Sequence, residues 1–298
     1  MVRRKSARSQ SRFPSILKKF FQIIIGFIVL IFILAIVLFV FFIFAKPKYQ
    51  YKNIVFIPSE KSGGEGKIIL AEFYKNTNSI NIITFNGEIK STLIGGYGEY
   101  QLKAVKGVLD IDKKGRGFIV AAFGHFLKSG VDEVIEYKPG LKPPENKLDL
   151  VKLFLQNKET FLDISLINDT DSEKINYIKI ENKNDWEDYL SKQLTWRINQ
   201  ECTVAIVNST SLPGLAADFG QTIENSGIEV VRSTTNIWGE SKTAFYVDDV
   251  ETCTKVKDRI KTLIPINVTE NLDKGKTAQY RANMVLFIGD ELAEFFKE

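Results

Sequence analysis

One histidine and two cysteines are all the chain offers for imidazole or thiol chemistry. His125 sits in Phe123-Gly-His-Phe-Leu, among apolar neighbours. A Ser–His–Asp or Cys–His mechanism would rest on that residue alone, in surroundings that suit a packed side chain better than a base. Cys202 and Cys253 have neither CxxC nor Cys/His spacing, so no metal site and no cofactor are expected. Outside a reducing compartment an isolated pair of thiols oxidises. Cys202 precedes an apolar β run, and Cys253 shares a helical face with Val256, Ile260 and Leu263. A Cys202–Cys253 disulfide is therefore expected ahead of two separate buried thiols, closing a loop of about 50 residues and worth roughly 4 kcal/mol.

Two further groups could act on an anion. Lys67, Lys103, Lys106, Asp110, Asp112 and Arg116 could converge in a charged groove, although a solvated charged face is the expected reading of such a set. The loop Asn208-Ser-Thr-Ser-Leu-Pro-Gly214 ends where a helix should begin, and the free N–H groups of a helix start favour an anion. Asn208, Ser209, Thr210 and Gly214 are its candidate binding residues; the alternative is a capped turn without a ligand. Ser62-Gly-Gly-Glu-Gly-Lys67 lacks the spacing of a phosphate loop and reads as a surface loop. Asn168-Asp-Thr, Asn208-Ser-Thr and Asn267-Val-Thr fit a glycosylation pattern that matters only in a eukaryotic secretory pathway.

The elements that must carry these residues fall into two regions. Residues 49–144 form a mixed α/β region. It opens with a strand at Lys52–Ile57, and the runs Lys67–Tyr74 and Ile80–Phe85 around Asn76-Thr-Asn-Ser read as a hairpin. Leu102, Val105, Val108 and Leu109 have helical spacing, Phe118–Phe123 is an apolar run, and Val131–Tyr137 is a strand. Residues 145–199 read as a connecting helical segment. Residues 200–298 give β-α-β-β-α-β-β, a two-layer α/β (α+β) domain. Its strands are Thr203–Val207, Ile228–Arg232, Thr243–Val247, Ile266–Thr269 and Met284–Ile288. Pro213 suits the first turn of its first helix. Leu215, Phe219 and Ile223 make the apolar face, and Gly227 is the stop.

Ahead of both regions, Phe20 to Ala45 is almost wholly apolar, long enough for one transmembrane helix. Residues 1–19 are a basic tail, and residues 1–45 hold seven of the chain's 40 Lys and Arg and no acid. The denser positive flank is expected in the cytoplasm, which puts everything after about Lys46 outside it. The bulky stretch Phe39–Phe44 does not suit signal cleavage. Beyond the anchor, 33 basic residues face 36 acidic ones, so nothing favours nucleic acid as a partner.

With those elements named, Val204-Ala-Ile-Val-Asn-Ser-Thr, Pro213-Gly-Leu-Ala-Ala, Ile228-Glu-Val-Val and Arg281-Ala-Asn-Met-Val-Leu-Phe-Ile-Gly-Asp resemble the C-terminal domain of LytR–CpsA–Psr proteins. The resemblance covers about 100 residues; Asn283 stands where the family more often has an acid. It implies a membrane-anchored, extracytoplasmic protein of the bacterial cell envelope, with the bilayer and a cell-wall polymer or envelope protein as partners. Full members also transfer glycopolymers from a polyprenyl carrier to the cell wall, using clustered Arg and Asp around a pyrophosphate. Residues 49–144 could be a degenerate relative of that catalytic region, with Thr84-Phe-Asn-Gly-Glu-Ile where the Arg-Asp signature would fall. From Tyr49 to Val131 the one arginine is Arg116. Developing anionic charge needs positive groups to stabilise it, so a non-catalytic binding role is expected ahead of a divergent transferase.

Overall fold

A computed structural model describes residues 24–34, 36, 51–59, 67–74, 77–137, 144–155, 167, 171, 174–193, 199–236 and 241–297. Residues 1–48 form one compact unit and residues 49–298 another. In the first unit, residues 24–34 and 36 are helical, with exposed apolar side chains. No helix among the described residues is long and apolar enough to cross a membrane. The expected span is therefore not found there; its ends, Phe20 and Ala45, lie outside the described residues.

The second unit contains two five-stranded sheets. The first half runs β1 Tyr51–Pro58, β2 Ile68–Tyr74, β3 Ser79–Phe85, β4 Lys90–Leu93, β5 Gly98–Gln101, α1 Val105–Ile111, α2 Arg116–Phe126, β6 Glu133–Tyr137, α3 Lys147–Leu155, β7 Ile175–Ile180 and α4 Lys183–Gln193. The strand order is β6-β1-β2-β3-β7, with β4 and β5 paired as a separate ribbon. β2 is antiparallel to β1 and β3, whereas the edges β6 and β7 run parallel to their neighbours. Helices cover both faces, so β1 to β3 are continuous apolar runs instead of alternating ones. Val55, Leu70, Ile83 and Phe85 pack with Phe123 and Trp186, while Ile54, Ile69, Phe73 and Ile82 pack with Leu150 and Leu153. The expected hairpin is present, with Asn78 at φ 49° in its turn. β7 lies inside the stretch read as a connecting segment, yet it extends the first sheet, and α4 completes that sheet's core.

The second half runs β8 Asn199–Asn208, α5 Leu215–Asn225, β9 Ile228–Thr235, β10 Ala244–Val247, α6 Thr254–Lys261, β11 Thr269–Leu272, α7 Lys274–Tyr280, β12 Met284–Ile288 and α8 Asp290–Ala293. Its sheet order is β11-β10-β12-β8-β9. The expected strand order holds, but α7 stands between the last two strands, and β11 begins at Thr269 instead of Ile266. Pro213 lies in the turn before the cap Gly214, outside the helix. Cys202 in β8 and Cys253, the cap of α6, form a buried disulfide with Cα atoms 5.4 Å apart.

The halves share an interface. Arg259 from α6 donates through Nη2 to the Gly130 carbonyl at 2.7 Å and pairs with Asp132. Asn53 of β1 donates to the same carbonyl, and the Gly130 N–H donates to Ser226 Oγ at 2.5 Å. His125, on α2, meets the Leu263 carbonyl at 2.8 Å, between the rings of Phe219 and Phe296. The closing turn Glu294–Phe296 packs against both cores, and the Phe295 carbonyl accepts from Gly95 N.

Candidate functional site

The anion loop is occupied by its own side chains. Asn208 is buried; its Oδ1 accepts from the Thr210 N–H and hydroxyl, and its Nδ2 donates to the Leu212 carbonyl at 2.6 Å. Thr210 Oγ1 in turn accepts from the Leu212 N–H, and Ser209 N donates to Ile288. Gly214 takes φ +79°, which an L side chain rarely adopts, and caps α5 without a side-chain bond. Asn208 and Thr210 thus close the loop as a strand-to-helix turn, while the Ser209 hydroxyl is buried with no hydrogen-bond partner among the described residues.

The charged set of the first half is partly brought together. Lys103, Lys106 and Asp110 line a pocket of about 220 Å³ with Ile57, Leu102, Phe123 and Glu136. Lys106 pairs with Asp110 on its own helix and with Glu136 at 2.6 Å. Burial works against its charge, but the two carboxylates outweigh burial and hold the ammonium above its usual range. Lys103 pairs with Glu88. The other three point elsewhere. Arg116 pairs with Glu133 at 2.6 Å, and Asp112 accepts from the Tyr97 hydroxyl at 2.6 Å. Lys67 sits just before β2 and offers its carbonyl to Tyr137. Burial, with help from Asp112, pushes the Tyr97 hydroxyl up to about 12.

A larger cleft of about 530 Å³ opens on the second half. Lys274, Thr277, Ala278 and Arg281 form one wall, and Thr203, Asp248, Asp249 and Asn283 belong to the rest. The spacing i, i+3, i+4, i+7 puts the first four on a single face of α7 and its end. Asp273 starts that helix by accepting the N–H groups of Gly275 and Lys276, and Arg281 ends it in the left-handed region at φ 55°. Asn283 knits the floor. Its Oδ1 accepts from the Thr203 N–H and hydroxyl, and its Nδ2 donates to Asp248 Oδ2 at 3.0 Å. The other Asp248 oxygen is buried with no hydrogen-bond partner among the described residues. Asp249 is held below the usual carboxylate range, first by the Thr252 hydroxyl and then by the Glu251 N–H. The sequence did carry a signal for this site, an aspartate cap followed by cations seven residues apart, but no apolar periodicity marks the helix.

These features define an α/β protein of two fused halves with a polar cleft on the second. No protein family and no curated protein matches the chain. Similar solved structures include Lin1025 from Listeria innocua, at 18% identity over 30% of this chain and 35% of that one, with a TM-score of 0.23. TagV from B. subtilis shares 10% identity over 48% of this chain and 95% of its own, with a TM-score of 0.32. A fragment of Lmo1026 from Listeria monocytogenes shares 20% over 31% and 36%, with a TM-score of 0.22. The chain spans only about a third of the two Listeria structures.

Proposed function

We propose that this chain is a cell-envelope protein of the LytR–CpsA–Psr type. Segment 20–45 anchors it in the membrane with its N-terminus in the cytoplasm, and its second half binds cell-wall polymer or an envelope protein without catalysis. The envelope reading draws on the sequence resemblance, on the cations flanking the apolar segment, and on a disulfide suited to an oxidising compartment. One observation supports the non-catalytic part. Lys103, Lys106 and Arg116, the cations best able to stabilise a pyrophosphate, are each engaged by a carboxylate. Presenting one of these cations to a substrate would first require parting it from its carboxylate, a modest cost for pairs this exposed.

Protease added to intact cells tests the topology: residues 200–298 should be cut without lysis, and protection until lysis would refute it. The full chain in detergent, incubated with purified cell wall and with envelope extract, tests the binding role. Retention by neither would remove it.

The pocket between β1 and α1 favours a second reading, a divergent transferase of polyprenyl-linked glycopolymer, because it gathers Lys103, Lys106 and Asp110 beside an apolar floor. Turnover of a lipid-linked pyrophosphate substrate would put this reading first.

A further inference from the structure

We propose that Glu72 and Arg259 form a proton-linked clasp between the two halves, in which loss of the Glu72 proton tightens the hold of the second half on the first.

A row of polar side chains crosses the first sheet. Asn53, Glu72, Asn81 and Asn176 stand opposite one another on β1, β2, β3 and β7. Side chains alternate in direction along a strand, so these four share the face that carries Val55, Leu70, Ile83 and Ile178. Asn53, Glu72 and Asn81 are buried. Glu72 Oε2 accepts from the Tyr189 hydroxyl at 2.5 Å, the Tyr74 hydroxyl at 2.9 Å and Asn81 Nδ2 at 3.2 Å. Asn176 Nδ2 donates to Asn81 Oδ1 at 2.9 Å. On the other side of Glu72, Asn53 Nδ2 donates to the Gly130 carbonyl, which also accepts from Arg259 Nη2. One side chain, Asn53, thus separates Glu72 from the seam.

The groups around Glu72 divide between the halves. The first half supplies Tyr74 from β2, Tyr189 from α4, Asp132 from the turn before β6, and the neutral asparagines of β1, β3 and β7. The second supplies Arg259 from α6 and, at the end of α5, the neutral Ser226. Burial disfavours the Glu72 carboxylate and hydrogen bonds favour it, both from within the first half; the pull of Arg259 crosses the seam. With Glu72 protonated, Arg259 and Asp132 balance. With Glu72 ionised, two carboxylates share one guanidinium, and the excess charge draws on Arg259 where water screens little. Such coupling is reciprocal: what Arg259 does to the proton, the proton does to Arg259. The closed seam holds the Glu72 carboxyl lower than it stands with the seam open. The open form therefore binds the proton better, and the closed form gains on it as pH rises. Unfolding of the whole chain has the opposite sign, because there burial dominates.

Hydrogen exchange of the full chain in detergent, read by mass spectrometry as a function of pH, tests the clasp. The Gly130 N–H donates across the seam to Ser226 Oγ and reports its opening. Its protection relative to the intrinsic exchange rate should rise about ten-fold as pH climbs through the Glu72 titration. Protection of the β2 and β3 amides should fall over the same range. In Glu72→Gln the protection at Gly130 should stay constant. The proposal is overturned if Gly130 protection fails to rise in the parent, if it moves together with the β2 and β3 amides, or if Glu72→Gln shows the same rise. Should Glu72→Gln fail to fold, the parent alone decides, by a rise at Gly130 against a fall in β2 and β3.

Discussion

Gly289 backs onto the main chain at Ser241. A β-carbon at position 289 would fall 2.5 Å from the Ser241 carbonyl oxygen and 2.6 Å from the Lys242 carbonyl carbon. Backbone on that side cannot step away as a flexible side chain could. Gly289→Ala should therefore cost about 1–3 kcal/mol, the range for overpacked interiors, read from urea unfolding midpoints. An unchanged midpoint would show the Ser241–Thr243 backbone free to shift. The closing Gly-Asp of the family-like motif thus has a steric reason: Gly289 admits close approach, and Asp290 opens α8.

Arg259 holds the two halves together at a buried site, 6% exposed. Arg259→Met should leave the Gly130 carbonyl and Asp132 without their cation and lower stability by about 3 kcal/mol. Gly130→Ala should act in the same direction, since its β-carbon would meet Arg259 Nε at 2.6 Å. Chemical denaturation measures both. A loss below about 0.5 kcal/mol for both would mean that the interface contributes little.

Cys202 and Cys253 close a loop with a sequence separation of 51. Replacing both with Ala should lower stability by roughly 4 kcal/mol. Calorimetry with and without reductant provides the check. If reductant lowers the melting temperature of the double variant as much as that of the parent, the bond is not the cause.

His125 is pushed down from 6.5 to about 4 by burial, which outweighs its bond to Leu263. Its folded value lies below its unfolded one, so the unfolded chain takes up the proton first. The packing of neutral His125 is fully stabilising above 6.5 and is lost as pH falls toward 4, by at most about 3 kcal/mol. His125→Gln should flatten that limb of the stability–pH curve. A variant with the parent's slope would assign the acid sensitivity elsewhere.

Burial raises the Glu72 carboxyl above its usual value, against hydrogen bonds from Tyr189, Tyr74 and Asn81 that pull it down. Here the folded value exceeds the unfolded one. Stability is complete below the ordinary carboxylate value and declines as pH rises through the raised one. Glu72→Gln should keep the acceptor and remove the decline, so the variant should gain on the parent as pH rises above the ordinary carboxylate value. Parallel curves would contradict this.

Much of the scaffold was legible because it follows simple periods. The runs around Asn78 and the Leu215, Phe219, Ile223 repeat announce a hairpin and an amphipathic helix, and both are present. β7 was missed because Ile175-Asn-Tyr-Ile-Lys-Ile is an edge strand, largely solvated and embedded in charged, Asn-rich sequence. α7 was missed because it buries only Thr277 and Tyr280. A helix that presents charge to a cleft has no apolar stripe to read. Of the first-half cations only Lys103 and Lys106 share a pocket with Asp110; the neutralisers Glu88, Glu133 and Glu136 come from other elements, and pairing across elements has no linear pattern.

The wedge of Phe295 and Phe296 into both cores also limits how the molecule can be dissected. Transplanting residues 200–298 onto a foreign stalk would strip the first-half contacts from these two rings and uncover the Leu263 carbonyl that His125 now covers. Such a graft would travel as a sticky fragment, so swaps between relatives should exchange the whole of residues 49–298 at once.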